Sequence, residues 1–173
     1  MIKVSPAAIA TESSAGNLVS GTSYPLTDIL RVMMVFSSND AAVAVAEYFG
    51  KEKFVALMNQ KAFDLGMSNT RFFDPSGLSP LNLTTAEDLA SLLTYIFQKH
   101  RSLLDLSQEK IEGATHPFAG EPDFIGGKTG FIDEAGGNLV SLFNYQGRAV
   151  AIIVLGSKQR AEDTKILKDW FLQ

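Results

Sequence analysis

The chain has 173 residues, enough for one domain with a buried core. Its hydrophobic content of 46% is ordinary for a globular protein, and a net charge of −4 without any Lys/Arg cluster argues against nucleic acid as a partner. The absence of cysteine excludes disulfides, thiolate catalysis and Cys-type zinc sites.

No apolar run approaches the ~18 residues of a membrane span. The start, Met1-Ile2-Lys3-Val4-Ser5-Pro6, lacks the long apolar stretch of a signal peptide, so none is expected within the chain. Up to Pro25 the residues are small and polar, with scattered apolar positions at Val4, Ile9 and Val19, which reads as a short strand and loops. From Leu26 the pattern turns helical: Leu26, Ile29, Leu30, Met33 and Met34 form one apolar stripe. That helix runs out at the cap-type residues Ser37-Ser38-Asn39-Asp40. A second, Ala- and Val-rich helix follows over 41–49, and a third over 51–65, stopped by Gly66.

A short extended piece over 70–73 ends in the turn Asp74-Pro75-Ser76-Gly77. Thr84-Thr85-Ala86-Glu87 has capping-box spacing and opens a helix with Leu89, Leu92, Leu93, Ile96 and Phe97 on one side. After His100 the pattern is weak until Phe124. Residues 138–143 and 148–155 are then apolar runs joined across Asn144-Tyr145-Gln146-Gly147, a hairpin signal. The last segment, 160–172, places Ile166, Leu167, Trp170 and Phe171 on one helical face that is expected to cover the sheet. A helical block, then antiparallel strands, then a covering helix is an α+β pattern in a single domain over 1–173.

Several chemistries can be set aside. Gly127-Lys128-Thr129 ends like a nucleotide-cradling P-loop, but the glycine required five positions earlier is Pro122, and 131–137 has no helical period to follow it. His100 and His116 are the only histidines, with no H-E-x-x-H, which argues against a histidine-based metal site. No G-x-S-x-G elbow exists, since Gly21-Thr22-Ser23-Tyr24 runs into Pro25. His100 reads as a polar helix end and His116, before Pro117, as a loop residue. The carboxylates read as caps and solvated faces, and no metal or cofactor is expected.

Two small motifs remain. Ser37-Ser38-Asn39 lies between two helices, and Lys128-Thr129-Gly130 lies at the start of the sheet. Taken singly, Ser37 and Asn39 read as helix caps and Lys128 as an exposed strand lysine. Taken together, in this order, they resemble the last two motifs of the active-site serine penicillin-recognising enzymes, S-x-x-K, S-x-N and K-T-G. Wider stretches resemble the serine-type D-alanyl-D-alanine carboxypeptidases, the low-molecular-weight penicillin-binding proteins. These are Ser37 to Ala42, Phe54 to Asn59, Leu65 to Thr70, Asp74 to Leu78, Lys128-Thr129-Gly130 with Ala135-Gly136 and Asn138-Leu139-Val140, and the closing helix from Arg160. The segment 101–121 matches least.

The resemblance implies a β-lactamase/transpeptidase-like fold and removal of the terminal D-alanine from peptidoglycan stem peptides through an acyl-enzyme, with β-lactams as inhibitors. It places the protein outside the cytoplasm, in the periplasm or on the cell-wall side of the membrane. Lys128 and the Thr129 hydroxyl would hold the substrate carboxylate, and Gly130 would leave room for substrate along the strand. Ser37 and Asn39 would position the substrate amide and relay a proton. The backbone N–H of Phe131 would supply half of the oxyanion hole, and Arg160 would stand near the carboxylate.

The chain departs from that pattern at the nucleophile. None of the serines in the 36 residues before Ser37 has lysine three places later. The one literal S-x-x-K, Ser107-Gln108-Glu109-Lys110, lies between the other motifs in a polar segment and reads as accidental. The expectation is a C-terminal catalytic part without its N-terminal strands and nucleophile helix, inactive alone, needing the absent segment as a partner and exposing apolar surface around 41–49. A class A β-lactamase would need E-x-x-L-N, but Leu78 stands where its Glu would precede Leu81-Asn82. A non-catalytic module that binds D-Ala-D-Ala peptides is the other alternative.

Overall fold

Residues 1–12 and 15–171 are described by a computed structural model. The N-terminal stretch forms β1 (Ile2–Lys3) and β2 (Ser23–Tyr24), paired antiparallel with Ile2 opposite Tyr24. Between them lies a single helical turn, α1 (Pro6–Ile9), which the composition did not announce. It forms because Ser5 Oγ accepts from the Ala8 N–H at 2.9 Å and Pro6 presets the first turn.

The helical block follows as α2 (Leu26–Val35), α3 (Asn39–Phe49) and α4 (Lys51–Asp64). Gly50, at φ +85°, supplies the left-handed turn between α3 and α4. Ser38 caps α3, its hydroxyl accepting from the Ala41 N–H at 3.1 Å. The residues Ala41 to Ala46 are all buried, and Ala41, Val43, Ala44 and Val45 share a core with Ile2, Val4, Ala8 and Ile29. This corrects the expectation of exposed apolar surface at 41–49: α1, α2, α4 and β1 pack around α3, and only Tyr48 and Phe49 at its end are exposed.

The extended piece near 70–73 is reduced to one antiparallel bridge, Arg71 to Leu83. Asp74 organises the turn after it, accepting from the backbone N–H groups of Ser76, Gly77 and Ser79 and from Asn82 Nδ2, all within 2.8 Å. Helix α5 (Ala86–Lys99) is capped by Thr85, and the featureless stretch after it contains a short helix, α6 (Arg101–Leu106).

The sheet is β3 (Phe124–Ile132), β4 (Gly136–Tyr145) and β5 (Arg148–Ser157), antiparallel in that order. Gln146 and Gly147 form the β4–β5 turn, both with positive φ as a type I′ hairpin requires. Period-two alternation splits the strand residues between two cores. Ile125 and Leu142 face Leu93 of α5 and Leu104 of α6. Phe124, Leu139, Phe143, Ile152 and Val154 gather with Phe118 on the other face.

Helix α7 (Arg160–Phe171) packs on β5 and β4, but not through the face the sequence suggested. Ile166, Leu167, Trp170 and Phe171 are exposed, Trp170 by 71%. The side turned inward is Arg160, Thr164 and Lys168, one residue per turn. Lys168 holds Glu121 at 2.9 Å and Asp123 at 2.9 Å, with its ammonium 4.4 Å from the Phe143 ring centroid. A half-exposed ion cluster around Lys168, invisible to apolar periodicity, lies on the side of the helix that faces the sheet. No described helix is long and apolar enough to cross a membrane.

Candidate active site

The two motifs meet. Val35 ends α2, Phe36 caps it, and Ser37 takes φ +58°, a left-handed conformation that a non-glycine residue adopts at a cost of order 1 kcal/mol. That turn aims the Ser37 hydroxyl at the sheet, where Lys128 Nζ donates to it. Ser38 points the other way, into the helical block, bonded to Asp40 and the start of α3. Asn39 Nδ2 donates to the Glu12 carbonyl at 2.7 Å, which fixes the side chain at the mouth of the loop.

Two glycines bring β3 into place. A Cβ at Gly126 would stand 2.6 Å from the Leu104 carbonyl, and one at Gly127 would stand 2.1 Å from the Val140 carbonyl and 2.6 Å from His116 Nε2. Side chains there would push the strand away from α6 and β4. The strand also carries a bulge between Phe124 and Gly126, after which its register with β4 is regular through Lys128–Val140, Thr129–Leu139 and Gly130–Asn138.

Lys128 is half-buried. Burial of its ammonium, and secondly the nearby charge of Arg160, lower its pKa to about 8. Nζ also donates to the Thr129 carbonyl at 2.7 Å. The Thr129 hydroxyl is buried and donates to Thr115 Oγ1 at 3.2 Å. Gly130 is exposed, and a Cβ there would meet nothing closer than Asn138 Cβ at 3.8 Å, so the space above it is open. Arg160, at the first turn of α7, donates to the Gly130 carbonyl at 2.5 Å. Phe131 follows with its ring exposed. Within the described sheet no strand lies outside β3; Ser107 and Gln108 occupy its edge at Gly127 and Ile125, and from Lys128 onward no strand covers the edge, which leaves it open to an extended chain.

The arrangement joins a lysine near neutrality to a serine hydroxyl, with a second cation one carbonyl further along an open strand edge. It can hold a carboxylate and pass a proton. Beside it runs a groove of about 720 Å3 between β3 and the apolar face of α5, lined by Leu89, Leu92 and Ile96 with Met34 and Leu103.

The family profile described as D-alanyl-D-alanine carboxypeptidase matches residues 1–159. The chain belongs to this family. It is 33% identical to the D-alanyl-D-alanine endopeptidase of Pseudomonas aeruginosa, over 97% of this chain and 62% of that protein. Among solved structures, penicillin binding protein 6B from Escherichia coli superposes with a TM-score of 0.85 at 28% identity, covering 99% of this chain and 61% of that one. A penicillin-binding protein from Listeria monocytogenes in its cefotaxime-bound form superposes at 0.78 with 26% identity, covering 99% and 72%. The chain spans between 49% and 62% of the length of the first three curated relatives it matches. The transpeptidase-like α+β fold of these carboxypeptidases is therefore the fold of this chain.

The literal S-x-x-K serine, Ser107, is a structural residue. It is buried at the end of α6, where its hydroxyl donates to the Leu104 carbonyl at 2.7 Å and accepts from the Gly127 N–H at 2.9 Å. His116 is likewise more than a loop residue. It is buried beneath β4, stacked on Phe124 at 4.3 Å, with Nε2 against the Val140 carbonyl and Nδ1 accepting from the Phe118 N–H. Burial above all, and then the charges of Lys128 and Arg160, lower its pKa to about 4, against the pull of Val140. Thr115, which bonds Thr129, carried no sequence signal at all.

Proposed function

We propose that this chain forms the substrate-holding wall of a serine-type D-Ala-D-Ala peptidase that acts on peptidoglycan stem peptides outside the cytoplasm. The observation that carries the reading is the Lys128–Ser37 hydrogen bond across the cleft, beside Arg160 at the Gly130 carbonyl. Lys128 and Arg160 hold the terminal carboxylate, Thr129 having its hydroxyl proton engaged by Thr115, and the exposed Gly130 lets the peptide lie along the open edge of β3. Ser37 exchanges a proton with Lys128, Asn39 orients the substrate amide, and the Phe131 N–H faces the developing oxyanion. β-Lactams, which carry a carboxylate beside a strained amide, occupy the same wall.

In this reading the attacking serine is carried into the apolar groove between α5 and β3 on a helix with lysine one turn after the serine. The serine oxygen then adds to the D-Ala carbonyl, the terminal D-alanine leaves with the serine proton, and water releases the acyl group. The endopeptidase name of the Pseudomonas relative favours peptide cross-links as substrates alongside uncross-linked stems.

The test is to incubate the chain with a stem pentapeptide, a cross-linked dimer and a labelled penicillin, alone and with a supplied S-x-x-K segment. Turnover and covalent labelling are expected only with the segment. Labelling of the chain by itself would overturn the split of labour between wall and nucleophile. A second reading, a binding module without catalysis, draws on Ser107 being occupied structurally. It predicts saturable binding of the pentapeptide without turnover under either condition.

A further inference from the structure

We infer that Thr115 is a positioning residue that ties the end of α2 to β3 and so holds Ser37 against Lys128. The inference rests on the reading of that pair as the working centre given above, but its geometry stands by itself.

The segment 107–116 forms a strap between the two halves of the fold. At its start, Ser107 accepts from the Gly127 N–H at 2.9 Å and Gln108 Nε2 donates to the Ile125 carbonyl at 2.7 Å, which fixes β3 at its bulge. In the middle, Glu109 grips Arg31 of α2 through both carboxylate oxygens, with contacts of 2.5 to 3.0 Å. At its end, Thr115 reaches both walls with one hydroxyl. Its N–H donates to the Val35 carbonyl at 2.9 Å and its Oγ1 donates to the same carbonyl at 3.2 Å, while Oγ1 accepts from Thr129 at 3.2 Å.

These ties fall where the site needs them. Val35 lies two residues before Ser37, and Thr129 is the next residue after Lys128. Ser37 holds a left-handed φ of +58°, which persists only where the surroundings over-determine it. Ser38, capping α3, fixes the chain just after Ser37, and Thr115 fixes it just before. Without the shared hydroxyl, the last turn of α2 and the K-T-G strand are free to slide apart, and water enters between Ser37 and Lys128.

Thr115→Val removes the hydroxyl but keeps the volume, the β-branch and the backbone tie to Val35, so the fold is retained; Thr115→Ser keeps the hydroxyl. The readout is the NMR titration of the Lys128 side chain in the full chain, with thermal unfolding recorded in parallel. The charged and titratable groups set against Lys128 are Arg160 of α7 and His116 of the strap, and neither is replaced; Asp40 of α3 is engaged by Ser38. In Thr115→Val the lysine midpoint is expected to move upward by a unit or more, a tenfold gain in proton affinity, as its ammonium gains water. Thr115→Ser is expected to titrate as the unsubstituted chain. An unmoved midpoint in Thr115→Val, even with a lowered unfolding temperature, would make Thr115 a purely structural residue and overturn the inference, as would a Thr115→Ser midpoint shifted like that of valine. The titration uses no ligand, so failure of stem peptides to bind would count against the proposed function while the lysine shift still judges Thr115.

Discussion

Lys128 donates a hydrogen bond to Ser37, which lies 91 positions away in sequence, and this contact joins the outer strand of the sheet to the loop between α2 and α3. Burying the lysine ammonium there is costly to stability. Burial and Arg160 depress the lysine to about 8, below its ordinary 10.5, so the charged form is disfavoured in the folded state. Between those two values the unfolded chain binds the extra proton, and stability rises as pH rises from 8 to 10.5. At pH 7 the ammonium therefore works against folding.

Replacing Lys128 with methionine is accordingly expected to stabilise the fold at pH 7 by on the order of 1–3 kcal/mol, partial exposure discounted. The same change is expected to abolish binding of peptides ending in D-Ala-D-Ala. Urea denaturation at pH 7 and calorimetric titration with a stem pentapeptide check the two halves. A destabilised variant would mean that the contact with Ser37 outweighs the cost of burying the charge.

The glycines around Lys128 separate into two kinds. Gly127→Ala drives a Cβ to 2.1 Å from the Val140 carbonyl, so β3 must leave β4. A loss of roughly 2–3 kcal/mol is expected, seen as a lower urea midpoint. Gly130→Ala meets only Asn138 Cβ, at 3.8 Å, and stability is expected to stay within about 0.5 kcal/mol. Its methyl instead occupies the open side of the strand, and peptide affinity should fall at least tenfold.

His116 makes the protein acid-sensitive. Its neutral ring suits its partners, with Nδ1 accepting from Phe118 and Nε2 left to donate to Val140. Its folded pKa of about 4 lies below the ordinary 6.5, so the unfolded chain takes the proton first. Its contribution is complete above pH 6.5 and is lost as pH falls towards 4, amounting to about 3 kcal/mol at most. Denaturant midpoints at pH 7, 5.5 and 4.5 should trace this slope, and His116→Gln should flatten it. An unchanged slope in the variant would assign the acid sensitivity to other groups. Asp74 is opposed by burial, but its hydrogen bonds from Ser76, Ser79 and Gly77 prevail and lower its carboxyl from 3.8, which puts its own loss at more acid pH.

Much of this was legible in the chain because it is written in local patterns. The α2 and α5 stripes, the Thr85 cap and the β4–β5 hairpin follow from periodicity and turn chemistry. Lys128 and Ser37 were readable as a pair through their motifs. The strap was not, because Ser107, Glu109 and Thr115 act through polar contacts with partners 14 to 80 positions away, and no spacing rule encodes them. The rotation of α7 was misread for a related reason. Four apolar residues on one face outweigh one lysine in any hydropathy pattern, whereas Lys168 finds two carboxylates and an aromatic face in the tertiary structure.

That rotation yields the last prediction. If α7 is held by its polar stripe, Lys168→Ala should cost about 1 kcal/mol, since Glu121 and Asp123 lose their cation and Phe143 loses cover. Trp170→Ala, at a side chain 71% exposed, should stay within about 0.5 kcal/mol. Hydrophobicity alone argues for the reverse ranking, because tryptophan is the largest apolar side chain on the helix. Thermal unfolding of the two variants at pH 7 decides between them. A Trp170→Ala chain less stable than Lys168→Ala would mean that the apolar face of α7 is buried in solution.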